Sequence, residues 1–278
     1  MQETVEIIFN LSMLIYVAGL MLTQGLGVKV SHLIEEFKKT KLIVYTLLAN
    51  FIAVPLFALG LVTLLDVSKG TSIGIVLLSL SSGAVFIPKL VQTAKGNTDG
   101  ALSLMLLLTV FTIFFMPLVV PLLFPQASIS ALEIASSLLF TMLLPLVLGV
   151  VFNTYKPSFT PKLKSFISKI SNISLIFLIL SFIYLYNHII IENLNVIPLL
   201  IIFFLGSMAI GYFSAGANKS AKISFVVATG LRNPPISMLV ATHYFSSEPI
   251  AGVISLLMVI IGLSFLFPLS IFIEKKKH

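Results

Sequence analysis

Nine apolar runs, each near the ~20 residues a helix needs to cross a bilayer, follow one another along the chain with only short polar connections between them. They fall at about 5–25, 42–65, 72–94, 100–124, 131–153, 166–187, 196–215, 220–245 and 249–273. In hydrocarbon every backbone N–H and C=O must be paired inside the protein, so runs of this length are predicted to be helices. The expected fold class is an all-α polytopic membrane protein with nine transmembrane helices. Composition agrees, since only 10% of the 278 residues are charged against roughly 25% in soluble domains.

Charge placement sets the expected topology. A net charge of +7 in a soluble protein would suggest nucleic acid. Here fourteen of the seventeen basic residues lie in connections that fall on one side of a nine-span chain, and Lys69 alone falls on the other. By the positive-inside rule the N-terminus is outside and the C-terminal EKKKH is cytoplasmic, as in a bacterial inner membrane. No nucleic-acid partner is expected. The absence of cysteine removes disulfides, thiolate metal sites and cysteine nucleophiles, and no metal or other cofactor is expected. MQETVEIIF lacks a basic n-region and is read as a membrane helix, not a signal peptide. SHLIEEFKKTK, residues 31–41, reads either as a short amphipathic surface helix or as a solvated loop. No mid-span aspartate pair or serine with histidine suggests an intramembrane hydrolase, because His188 and His243 lie near span ends.

Two spans are interrupted. In the eighth, residues 220–245, Gly230, Arg232, Asn233, Pro234 and Pro235 fall together, and adjacent prolines make one continuous helix untenable. The expectation is a half-helix ending at Gly230 in a left-handed cap and a second beginning with Asn233 as N-cap and Pro234 at the first position. In the third, residues 72–94, the break spans Ser82, Gly83 and Pro88. Each interrupted span is followed by a helix of similar grammar, LSLMLLLTVFTIFFMPL from Leu102 and ISLLMVIIGLSFLFPL from Ile254. With four spans between them the interrupted helices are antiparallel, as expected of inverted repeats. The halves are 1–153 and 165–278, joined by the linker around NTYKPSFTPKLK.

Lys89 and Arg232, the one arginine in the chain, fall inside these spans, where a charge costs on the order of 2.5–3.5 kcal/mol. None of the ten acids lies mid-span. Two offsets are open and compatible: bare carbonyls at the ends of the leading half-helices can neutralise a cation, or the cations and following helix starts can hold an anion. Lys89 has a further alternative, reaching the membrane surface along its aliphatic stem. Asn50 and Ser103, and the hydroxyl residues Ser82 and Thr229 at the breaks, complete the candidate set.

The runs ANFIAVPLFALGL, SSGAVFIPKLVQTAKGN with ALSLMLLLT, and ATGLRNPP together resemble the bile acid:sodium symporter family and its bacterial homologues, in order and spacing over nearly the whole chain. The resemblance implies a panel domain and a core domain, with two unwound helices crossing in the core, and a chain lacking the first of ten helices that bacterial members often have. It also implies transport of organic anions coupled to two sodium ions.

The departures from the family pattern alter that expectation. Where the family reads Glu-x-Gly-x-Gln-Asn, with glutamate and glutamine as sodium ligands, this chain has Ala228, Thr229, Gly230, Leu231, Arg232 and Asn233. A Ser-Asn pair of the third span is replaced within Ile87, Pro88 and Lys89, and a hydroxyl expected one turn beyond Ser103 is Leu107. Asn50 stands where the family has a ligating glutamine, while Ser103 and Asn233 match. Sodium wants hard oxygens, preferably with a carboxylate. The expected function is therefore a monomeric secondary transporter of a small organic anion, working by alternating access without sodium, with Lys89 and Arg232 as fixed cations in the ions' places. A membrane-embedded anion receptor without transport, and a sodium-coupled symporter with altered ion sites, are the alternatives.

Overall fold

A computed structural model of the chain describes residues 2–28, 30–38, 40–216 and 219–275. Within these the regular structure is helical throughout. Lys29, Lys39, Lys276 and Lys277, used above to assign sides, lie outside the described residues.

The helices in order are α1 (Gln2–Gly25), α2 (Val30–Phe37), α3 (Thr40–Leu48), α4 (Val54–Leu64), α5 (Lys69–Leu80), α6 (Ile87–Thr93) and α7 (Thr98–Leu123). There follow α8 (Ala131–Leu138), α9 (Leu144–Tyr155), α10 (Thr160–Glu192), α11 (Ile197–Ser214), α12 (Lys219–Gly230), α13 (Pro234–Tyr244) and α14 (Ile250–Lys275). Among the described residues, eight segments are long and apolar enough to cross a membrane. The third expected span is not among them, because α5 and α6 are separate short rods divided by the non-helical residues 81–86. Of the 31–41 stretch, residues 31–37 lie in α2, a short helix, and Thr40 and Lys41 open α3.

Two of the eight segments carry a π-helical turn directly before a proline: Ala49–Ala53 between α3 and α4, ahead of Pro55, and Leu139–Leu143 between α8 and α9, ahead of Pro145. The cause is local. Pro55 has no N–H, and the Val54 N–H reaches back five residues to the Ala49 carbonyl. The Asn50 carbonyl is thereby left without its helical donor.

The helices form two layers. In the first, α1 packs along α9 and α10. Gly25 of α1 and Gly149 of α9 bring the backbones into contact: a Cβ on Gly25 would lie 2.1 Å from the Leu146 carbonyl oxygen, and one on Gly149 2.4 Å from that of Leu22. Small residues at such a crossing let membrane helices gain dispersion energy where no hydrophobic drive exists between them. The second layer surrounds the interrupted helices. There α5 packs on α13 and α6 on α12, so the two interrupted helices run in opposite directions, with α7, α11 and α14 against them.

Candidate functional site: the crossing of two interrupted helices

The two breaks are bonded to each other. Asn233 stands at the N-cap of α13 with prolines in the first turn, as the sequence predicts, but its side chain does not cap that helix. Instead its Nδ2 donates to the Gly83 carbonyl at 3.0 Å, and its backbone N–H donates to the Ser81 carbonyl at 3.0 Å. Gly83 takes φ +87°, a conformation open to glycine at little cost. From α7, Thr109 Oγ1 donates to the Gly83 carbonyl at 3.0 Å, and Thr112 Oγ1 accepts the Ser82 N–H at 3.0 Å. The Ser81, Ser82 and Gly83 carbonyls and the Ser82 N–H at the first break are thus paired by α7 and by the second break.

Gly230 differs from expectation. Its φ is not positive, because regular bonding continues past it, with the Leu231 N–H donating to the Val227 carbonyl at 2.9 Å. What excludes a side chain there is close approach, since a Cβ would lie 2.5 Å from Met208 Cγ.

Arg232 is wholly buried, at 0% exposure. Its Nε donates to the Leu78 carbonyl at 3.1 Å, Nη1 to Asn50 Oδ1 at 2.8 Å and to the Thr229 carbonyl at 3.3 Å, and Nη2 to the Asn50 carbonyl at 3.4 Å and to the Ser79 carbonyl. A guanidinium has five N–H donors, and all five are used. Leu78 and Ser79 lie in the last turn of α5 and Thr229 in the last turn of α12, where helical carbonyls carry the negative end of the dipole; the Leu78 carbonyl also accepts from the Ser81 N–H and Oγ at 3.1 and 3.0 Å. The Asn50 carbonyl is the one freed by the π-helical turn. Of the two offsets left open by the sequence, this is the first: dipoles and one amide oxygen neutralise the cation without a carboxylate.

The other candidates divide. Asn50 and Ser82 join Arg232, with Ser82 Oγ donating to Asn50 Oδ1 at 2.9 Å, and Asn50 Nδ2 donates to the Thr46 carbonyl at 3.0 Å and to Thr229 Oγ1 at 3.3 Å. Ser103 is buried near the start of α7, with no hydrogen bond to the crossing among the described residues. Pro88 lies in the first turn of α6, beyond the non-helical stretch. Lys89 does not sit with Arg232. It is exposed on α6, so its place as a second interior cation is corrected: the six non-helical residues before α6 set its phase and turn Lys89 outward. Thr109 and Thr112 went unnoticed in the sequence. Their i, i+3 spacing on α7 was the available signal.

A cavity of about 270 Å³ lies between the layers, beside the crossing. Met13 and Tyr16 of α1 and Leu178 and Phe182 of α10 form one wall; Phe86, residues 231–235 and Met238 form part of the other. Although Arg232 and Asn233 border it, every guanidinium donor is engaged elsewhere, and Asn233 Oδ1 is buried without a hydrogen-bond partner among the described residues. The surface on offer is hydrocarbon. At one end Phe182 stacks at an angle on Phe9 and Tyr186, with centroids 5.8 and 4.7 Å apart, and a Cβ on Gly252 at the start of α14 would lie 3.5 Å from the Phe182 ring.

The oxygens that would suit a sodium ion here are the ones the guanidinium holds. A carboxylate is missing as well, and a cation placed among these groups would meet Arg232. The residues present do not fit sodium.

Oppositely directed interrupted helices, crossing among membrane-length helices beside a cavity, are the architecture of a multi-pass membrane transporter. The model of the Sodium Bile acid symporter family matches residues 14–193, and the chain belongs to that family. The match takes in the first break and ends before the second, so Arg232 lies beyond the matched stretch. No curated protein matches the chain.

Proposed function

We propose that the protein is a secondary carrier of an organic anion that works by alternating access without sodium, with Arg232 alone as the fixed cation at the crossing. The observation that carries this reading is the five-bond saturation of Arg232 by carbonyl and amide oxygens from three helical segments. A mobile cation in such a place would have to be bound in each cycle; a tethered one is always present. The remaining parts of the reading are nine crossings, inverted halves over 1–153 and 165–278, an outside N-terminus and a cytoplasmic C-terminus in a bacterial inner membrane, and a monomer. Alternating access is supported by a cavity with α1 and α10 on one side and the crossing of the interrupted helices on the other.

The test is thermal unfolding of the purified protein in sodium chloride against choline chloride of equal strength. A ligand that binds only the folded state raises the midpoint by mass action, by the equivalent of about 2.7 kcal/mol at a hundred times its dissociation constant. Equal midpoints are expected. A sodium-specific rise of several degrees would sink the reading.

A further inference from the structure

The exposed side of α10 changes character along its length, basic at the start and wholly apolar beyond. We propose that this face is a binding site for an acidic phospholipid, with the headgroup phosphate held by Lys162 and Lys169 and an acyl chain laid along the helix past them. The site is remote from the crossing: Leu175, Leu178 and Phe182, which α10 turns to the cavity, lie on the opposite side of the helix. It does not depend on what the protein carries.

Helix length places the lysines at headgroup level. With 33 residues, α10 rises about 50 Å, whereas the hydrocarbon core is about 30 Å thick. Several turns therefore stand outside the hydrocarbon. Lys162, Lys164 and Lys169 fall within the first ten residues of the helix, and residues 170–187 hold no charge at all. Together with Lys156 just before the helix they make four lysines beside a span, the density at which a segment attracts anionic lipid.

These lysines are also unneutralised. No aspartate or glutamate occurs between Glu133 and Glu192, and Lys156, Lys162 and Lys169 form no ion pair among the described residues. Elsewhere the cations are met within the protein: Lys69 pairs with Glu248 at 3.8 Å, Lys222 lies 4.2 Å from the centre of the Tyr212 ring, and Lys38 and Lys41 follow Glu35 and Glu36 in sequence. Lys164 turns the other way, its Nζ 2.8 Å from where a Cβ on Gly27 would stand, and is not part of the site.

Alignment separates this face from a mere topological signal, which needs positive charge near a span end but no particular azimuth. Lys162, Phe166, Lys169, Ile173, Phe177 and Leu180 recur at i, i+4, i+7, i+11, i+15 and i+18, all exposed, and so form one straight stripe. The two lysines are about 10.5 Å apart along the axis, and their flexible four-carbon stems let both ammonium groups converge over Phe166 on one phosphate. From Lys169 the apolar stripe runs about 16 Å to Leu180, close to the roughly 15 Å depth of one leaflet's hydrocarbon. A soluble acidic partner would leave that stripe unused. A second copy docked side by side would set the same lysines against each other.

The experiment is native mass spectrometry of the full chain in detergent, titrated with phosphatidylglycerol or with phosphatidylcholine of identical acyl chains. The wild type is expected to favour phosphatidylglycerol by roughly tenfold or more, the scale of one to two lysines at an acidic headgroup. Lys162→Gln combined with Lys169→Gln should cut the preference to about twofold or less, and the two Lys→Arg changes should keep it. Lys38→Gln with Lys41→Gln removes equal charge and should also keep it. Soluble glycerol 1-phosphate should not displace phosphatidylglycerol. A preference that survives the Lys162 and Lys169 glutamines, an equal loss in both glutamine pairs, or no preference in the wild type would overturn the proposal. Displacement by glycerol 1-phosphate would overturn it too, marking a site for free phosphate. A sodium-dependent midpoint would strike the role given to Arg232 and leave this comparison standing.

Discussion

Five donors on one side chain meet five oxygens, and that match makes arginine different from lysine at position 232. A lysine there would bring three donors and a compact charge, so at least two of the five charge-assisted bonds go unmade, at about 1–2 kcal/mol each, although the Leu78 carbonyl keeps Ser81 and Asn50 Oδ1 keeps Ser82 as donors. Arg232→Lys is therefore expected to lower stability by about 2–4 kcal/mol, read as a fall in the thermal midpoint, although net charge is unchanged. A wild-type midpoint in that variant would show that charge alone, not the bond set, holds the crossing. Arg232 was legible in the sequence as a lone arginine with apolar residues on either side. That helix ends could neutralise it was legible too, but which carbonyls do so was not. Asn50 gives its carbonyl only because Pro55 and the π-helical turn free it, a detail of backbone bonding that side-chain patterning does not report. Lys89 was misplaced for a related reason: periodicity fixes phase only within a helix, and residues 81–86 reset it.

At the scale of elements, the first break depends on Gly83 twice over. Its φ of +87° disfavours a side chain, and a Cβ would lie 2.3 Å from Thr109 Oγ1 and 2.5 Å from the Thr109 backbone nitrogen. Gly83→Ala should destabilise the fold by about 2 kcal/mol or more and separate α7 from the break. Gly60 in α4 is the matched control, because nothing lies within 4 Å of a Cβ added there. Gly60→Ala should raise the midpoint by the equivalent of about 0.5–1 kcal/mol through helix propensity alone. Equal effects of the two substitutions on thermal unfolding would remove the argument from close approach. The interruptions themselves were plain in the sequence, because Gly83, Pro88, Pro234 and Pro235 are where helices fail. The mode of closure at Gly230 was not, since it turns on whether Leu231 still reaches Val227.

For the whole molecule, the helix content follows from hydropathy, whereas the division into layers does not. It arises from the Gly25 and Gly149 contact and from which faces α1 and α10 share, and lipid-facing and protein-facing residues are alike apolar. The chain has no native cysteine, so single cysteines report access cleanly. Gln92→Cys should react with a membrane-impermeant maleimide from the cytoplasmic side and not from the other, while Phe9→Cys, in the aromatic cluster, should resist it from both. A reactive Phe9→Cys, or a Gln92→Cys silent from both sides, would contradict the burial of Phe9 and the exposure of Gln92.

For a carrier of the kind proposed, the permanence of the guanidinium at the crossing has an energetic corollary. A carrier whose positive charge never leaves can reorient empty, and an anion that crosses without an accompanying ion moves net charge. The membrane voltage then acts directly on the traffic, at about 2.3 kcal/mol per charge for each 100 mV. In a cell with a negative interior, that force drives a monovalent anion outward unless its concentration outside is high enough to oppose it.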